Sequence, residues 1–409
     1  MVLNYIWIAF ILIAFVVAVV QLCVFGNAQT FIDIVDSTFS SAKTGFEVSL
    51  GLTGVLSLWM GIMKIGERGG VVNVLSRAAS PLFSRLFPTL PKNHPANGSI
   101  LLNITANILG LDNAATPAGL QAMRELQESN PDKERASNPM IMFLVLNASG
   151  LTLIPVSVMT IRAQMGAENP ADVFVPIMIA TFVATLVGVF AVCIKQRIKI
   201  DGVILGFFGG ITLLIAALLW QFSQMPSAEV QRISSVAASV ILFAVIAGFI
   251  VAGLWKRINV YDAFIEGAKD GFSTAIRIIP YLIAILVAVG MLRASGALDF
   301  FVDSLKYVVA WLGSDTSWVD AMPTALMKPL SGSGARGVMV ETISNFGVNS
   351  FAARLSGVVQ GATDTTFYLV AVYYGAVNIK NSRYTVPYAL LADLAGVVTA
   401  VAVSYLFFQ

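Results

Sequence analysis

Ala321-Met-Pro-Thr-Ala-Leu-Met-Lys-Pro-Leu-Ser-Gly-Ser-Gly-Ala-Arg-Gly337, with Gln360-Gly-Ala-Thr-Asp-Thr-Thr366 a short way beyond it, is the stretch whose reading decides the fold. It lies among long apolar runs of the kind that sit in lipid. Pro329 removes a backbone donor, and Gly332, Gly334 and Gly337 each weaken a helix, so the segment predicts a break with a new helix after Gly337. Interrupted backbone at membrane depth persists only where protein or a water-filled cavity satisfies its polar groups. Such a segment therefore reads as a binding element.

Composition sets the frame. The 409 residues are 57% hydrophobic and 12% charged, against about 25% charged in soluble domains. Runs near 5–25, 45–65, 138–162, 172–194, 203–223, 235–255, 274–292, 352–377 and 384–408 have spanning length. The fold class expected is an all-α polytopic membrane protein. It has about nine transmembrane helices, two re-entrant broken segments at 99–123 and 319–343, and amphipathic interfacial helices at 69–87 and 297–312. A net charge of +2 and the lack of a basic run give no nucleic-acid partner. His94 is the single histidine, and Cys23 and Cys193 lie in apolar runs, so neither a metal site nor a cofactor is expected. No catalytic motif is present, and the chain reads as a non-enzyme.

Lys and Arg set a topology. Lys64, Arg68, Arg77, Arg85, Lys92, Arg124, Lys133, Arg135, Lys195, Arg197, Lys199, Lys256, Arg257, Lys269, Lys380 and Arg383 fall on one side if both broken segments re-enter. The positive-inside rule then puts the N-terminus in the cytoplasm and the C-terminus outside a bacterial inner membrane.

Ala42-Lys-Thr-Gly-Phe46 recurs as Ala268-Lys-Asp-Gly-Phe272, and the order of elements after each copy is the same. The division expected is an N-terminal span and connector at 1–41, repeat one at 42–201, two linking spans at 202–260, and repeat two at 261–409. An odd number of crossings separates the copies, so the second is inverted, an arrangement typical of secondary transporters. Asn147-Ala-Ser-Gly-Leu-Thr152 of copy one aligns with Gln360-Gly-Ala-Thr-Asp-Thr365 of copy two.

Several polar residues in the broken segments are candidates for binding a solute. In copy one they are Asn103, Asn107, Asn113, Thr116, Asn147 and Ser149; in copy two they are Ser331, Ser333, Arg336, Gln360 and Thr363. Asp364 and Thr365 are the candidate coupling-ion residues, because an intramembrane carboxylate is costly and marks function by default. Asp112 reads slightly better as a helix cap than as a ligand. Asp393, in the last span, leans toward a structural role, and Lys328 and Arg336 are open between an anionic ligand and an internal salt bridge.

Leu109-Gly-Leu-Asp-Asn-Ala-Ala-Thr-Pro-Ala-Gly-Leu-Gln-Ala-Met-Arg-Glu-Leu-Gln127 resembles the signature of the spore maturation protein A family. Lys328-Pro-Leu-Ser-Gly-Ser-Gly-Ala-Arg-Gly337, Gly361-Ala-Thr-Asp-Thr-Thr-Phe-Tyr368 and Tyr373-Tyr-Gly375 resemble the B family. The likeness covers most of the chain and implies a natural A–B fusion built on the nucleoside-recognition "Gate" domain. It implies a membrane protein handling a small solute; with the inverted repeats and the placement of Asp364, the expected function is transport of a small polar solute, nucleoside-like or anionic, by alternating access with H⁺ or Na⁺ as the coupling ion. The alternative is a non-transporting membrane scaffold or assembly factor of the spore-maturation type. The expected partners are the solute and the bilayer, and a homo-oligomer is compatible with both readings.

Overall fold

The structure is a computed structural model that describes residues 2–91, 93–110 and 112–409, with the backbone alone at 2–3, 112–114 and 227–228. It is 80% helical with no sheet. Among the described residues, seven helices are long and apolar enough to cross a membrane and two further crossings are broken, so the chain is an all-α polytopic membrane protein.

The chain opens with α1 (Val2–Phe25), the 40-residue α2 (Gln29–Arg68), the interfacial α3 (Val71–Leu86), and the hairpin α4 (Ala96–Leu109) with α5 (Asp112–Glu128). The broken crossing α6 (Asn138–Ser149) with α7 (Val156–Gln164) and the span α8 (Phe174–Gln196) complete copy one. Two spans follow, α9 (Gly202–Ser223) and α10 (Ser227–Trp255). Copy two then repeats the order: the 35-residue α11 (Val260–Ala294), interfacial α12 (Ala297–Trp311), hairpin α13 (Met322–Met327) with α14 (Gly332–Phe346), broken crossing α15 (Phe351–Ala362) with α16 (Thr366–Gly375), and span α17 (Thr385–Phe408).

Two expectations change here. Residues 29–41, expected as part of a connector, belong to α2, because no glycine or proline interrupts Gln29–Lys43 and its acids and serines lower hydropathy without breaking a helix. The second hairpin breaks earlier than Gly337. Ser331 accepts the Gly334 N–H at 3.0 Å and starts α14, which runs through all three glycines. Those glycines serve close approach: a Cβ at Gly337 would stand 2.4 Å from Ile285 Cγ2, and one at Gly332 would stand 2.7 Å from Thr365 Oγ1.

The copies meet through matched contacts. A Cβ on Gly45 would meet Ile283, and one on its counterpart Gly271 would meet Ser57, the counterpart of Ile283. Likewise Gly267 lies against Lys64, while Gly290, the counterpart of Lys64, lies against Ser41. Contacts advance along α2 as they recede along α11, so the two helices are antiparallel over nearly their whole lengths, about 60 and 52 Å at 1.5 Å per residue. The spans α8 and α17 repeat the pattern, with Gly188 against Ala392 and Gly396 against Ala184. Reciprocal contacts between antiparallel counterparts are those of an inverted repeat about a pseudo-two-fold axis. The helix ahead of each copy crosses to the other: α1 packs on α11, and α10 packs on α2.

Candidate functional site

The four broken elements converge. In copy one, α4 ends on Gly110 and α6 on Gly150, both in the left-handed region that glycine enters without steric cost. In copy two, α15 ends in extended backbone at Thr363, and α16 starts after Thr365. Each broken crossing is tied to the hairpin of its own copy by one matching bond. The Leu153 N–H donates to Ile108 O at 2.7 Å, and the Phe367 N–H donates to Pro329 O at 3.0 Å. A third bond joins the copies, from the Asp364 N–H to Ala148 O at 2.8 Å. Gly150 is what lets the crossings touch, since a Cβ there would stand 2.8 Å from Asp364 N. Backbone freed by the breaks is thus satisfied by backbone from the facing break, which is how unwound segments persist in a membrane protein.

On the copy-one side three candidate asparagines form one network. Asn107 Nδ2 donates to Asn147 Oδ1 at 2.8 Å and lies 3.5 Å from Asn103 Oδ1. Asn103 Nδ2 donates to Ala115 O at 2.7 Å, closing the α4–α5 hairpin, and to Tyr373 Oη at 3.3 Å. Asn147 Nδ2 donates to Phe143 O of its own helix at 2.9 Å. A cavity of ≈ 70 Å³ opens beside Asn107 and Asn147, walled by Ile104, Leu146 and Phe207. It admits nothing larger than a few waters.

Charge collects on the copy-two side. Asp364 is half-buried, and its Oδ1 accepts the Thr365 N–H at 2.7 Å. Asp393 on α17 is buried and accepts from Thr366 Oγ1 at 2.7 Å, while its Oδ1 has no partner. Lys328 and Asp364 both lie within electrostatic reach of Asp393. Thr363 Oγ1 and Gln360 Oε1 are buried oxygens without a partner as well. Among the described residues no group of three His, Cys, Asp or Glu is placed to hold a metal.

Other candidates fall elsewhere. Ser149 is buried, and its hydroxyl donates to Leu146 O within its own helix. Ser331 is occupied in capping α14, with Ser333 Oγ 3.3 Å away. Arg336 sits half-buried in the second turn of α14, and Glu341 of the same helix is bonded by Arg293. Thr116 is exposed, outside the cluster, and the side chains of Asp112 and Asn113 lie outside the described residues.

Two groupings were not visible in the sequence. Tyr373 joins the asparagine network from copy two, and only its place in a Tyr-Tyr-Gly run hinted at it. Arg162, wholly buried, bonds Asp172 at 3.1 Å and Val348 O at 3.0 Å, while Arg354 donates to the same carboxylate at 2.8 Å. That ion network clamps α7, the start of α8 and α15 together, and nothing in the spacing of Arg162 and Arg354 announces it.

A family model described as nucleoside recognition, the Gate domain, matches residues 49–198 and 275–380. Spore maturation protein A of Bacillus subtilis (strain 168) is 38% identical over 193 residues, covering 47% of this chain and 93% of that protein. Spore maturation protein B of the same organism is 43% identical over 164 residues, covering 40% of this chain and 90% of that protein. No solved structure matches. The chain belongs to the nucleoside-recognition Gate family, as a fusion of spore maturation protein A-like and B-like parts.

Proposed function

We infer that this protein is a permease for a small polar solute, nucleoside-like or anionic, which moves it across a bacterial inner membrane by alternating access between its two copies. One observation carries the reading: four broken elements from opposed copies meet at a single place lined by buried amides, hydroxyls and carboxylates. Asn103, Asn107 and Asn147 would present donors and acceptors to the solute, and the charged break of copy two, which holds Asp364 and Thr365, would serve cation coupling. The family description "nucleoside recognition" points to the same class of solute. The ≈ 70 Å³ cavity beside Asn107 is too small for a nucleoside, so the reading requires the copies to move apart at the breaks. Ala148 O and the Asp364 N–H are where they would part.

The test is uptake by proteoliposomes of nucleosides, small dicarboxylates and amino acids, with wild type and Asn107→Ala side by side. Saturable uptake of one class, reduced at least about tenfold by the variant, supports a permease whose site includes the asparagines. Linear uptake of every solute, equal to that of empty vesicles, contradicts it and favours the scaffold.

A further inference from the structure

The carboxylate best placed to hold a cation is Asp393 rather than Asp364. Asp364 already accepts the Thr365 N–H and is half-buried. Asp393 is 3% exposed, receives a single hydrogen bond, from Thr366, and has an oxygen with no partner. The Thr363 side chain interacts with the same carboxylate, and its hydroxyl makes no closer hydrogen bond. One turn earlier on α15, Gln360 carries a third unpartnered oxygen and is 5% exposed. The great majority of buried polar atoms are hydrogen-bonded, so unpartnered oxygens at Asp393 and on the last turn of α15 leave a place for a ligand.

Backbone adds to the same place. The Asp364 N–H crosses to Ala148 and the Thr365 N–H folds onto the Asp364 side chain, so neither returns to the last turn of α15. That helix end keeps its negative dipole. Ala362 O stands 3.4 Å from where a Cβ on Gly396 would lie, which brings the carbonyl end of α15 against α17 one turn beyond Asp393. Every donor here is an oxygen, and oxygen shells suit hard cations. The charges select the valence. Asp393 brings one negative charge into a dry setting, which one positive charge neutralises.

We propose that Asp393, Thr363 and the carbonyl end of α15, with Gln360 adjoining, form a binding site for a small monovalent cation, with Na⁺ as its probe. The site rests on the permease reading for its use in coupling but not for its existence. By the register that matches Gly188 to Gly396, the copy-one counterpart of Asp393 is Thr185, whose hydroxyl donates to Thr181 O at 2.8 Å. Copy one therefore has no such site.

The test needs no solute. Thermal unfolding of the purified full-length protein is followed as NaCl replaces choline chloride at fixed ionic strength, with KCl as a second replacement. The expected result is a saturable rise of the midpoint with Na⁺, because a ligand bound only by the folded state stabilises it. The rise is lost in Asp393→Asn, and its apparent affinity falls about tenfold in the near-isosteric Thr363→Val. It survives in Thr185→Val. An equal effect of K⁺ and choline on wild type, or an unchanged Na⁺ effect in both Asp393→Asn and Thr363→Val, overturns the site. Saturable uptake that ignores Na⁺, with no Na⁺ effect on the unfolding midpoint, removes the site and leaves the permease. A Na⁺ effect that depends on Asp393 without uptake of any solute supports the site and removes the permease.

Discussion

The two broken crossings start from one plan and end differently. In α6–α7 the break is closed: Ala148 O receives an N–H from the other copy, Asn147 is bonded at both ends of its amide, and Gly150 supplies the tight turn. In α15–α16 the break is open: Thr363 and Gln360 hold oxygens without partners, and Asp364 and Asp393 bring negative charge. Duplication gave the protein a symmetric frame, visible in the reciprocal glycine contacts of α2 with α11 and of α8 with α17. Divergence then assigned the copies separate tasks. Copy one braces the junction with neutral amides, and copy two carries the charge.

That contrast predicts where substitutions hurt stability and where they change only ligand response. Gly150→Val is expected to have the largest effect, about 3 kcal/mol, from a β-branched residue at φ +61° and a side chain pressed on the Asp364 peptide. Thermal or denaturant unfolding of the purified variant measures it. A variant as stable as wild type would break the claim that copy one is the closed half. Asn147→Ala should follow, at about 1–3 kcal/mol, since it leaves the Asn107 amide with only its long contact to Asn103. Thr363→Val, in Na⁺-free buffer, is expected to shift stability by under about 1 kcal/mol in either direction, because its hydroxyl bonds nothing there. A large loss in that buffer would show that Thr363 is structural and would erase the distinction between the halves.

Much of this was legible in the chain. The apolar runs, the interrupted segments and the Ala42/Ala268 repeat gave the membrane fold and its element order, because apolar length and glycine or proline punctuation act locally. Helix ends were read less well. Gly332, Gly334 and Gly337 look like a broken stretch, yet they line a helix pressed against Thr365, Met327 and Ile285. Tertiary approach outweighed local propensity there. In the candidate site, Asn103, Asn107 and Asn147 stand out in the sequence as polar residues beside breaks, and they lie together. Ser331 stands out on the same grounds and is a cap of α14. The roles of Asp393, Tyr373 and the Arg162–Asp172–Arg354 network depend on which helices face one another, and a single sequence does not carry that information.

The comparison depends throughout on the copies being inverted, and accessibility tests that most directly. With Cys23 and Cys193 replaced by serine, single cysteines are introduced at Ser129, after α5, and at Ser314, after α12, both of which are exposed. Intact cells are then treated with a membrane-impermeant maleimide before and after permeabilisation. Inverted copies predict labelling of the Ser314 position in intact cells and of the Ser129 position only after permeabilisation. Labelling of both positions under the same condition would place the two hairpins on one side of the membrane and contradict the account.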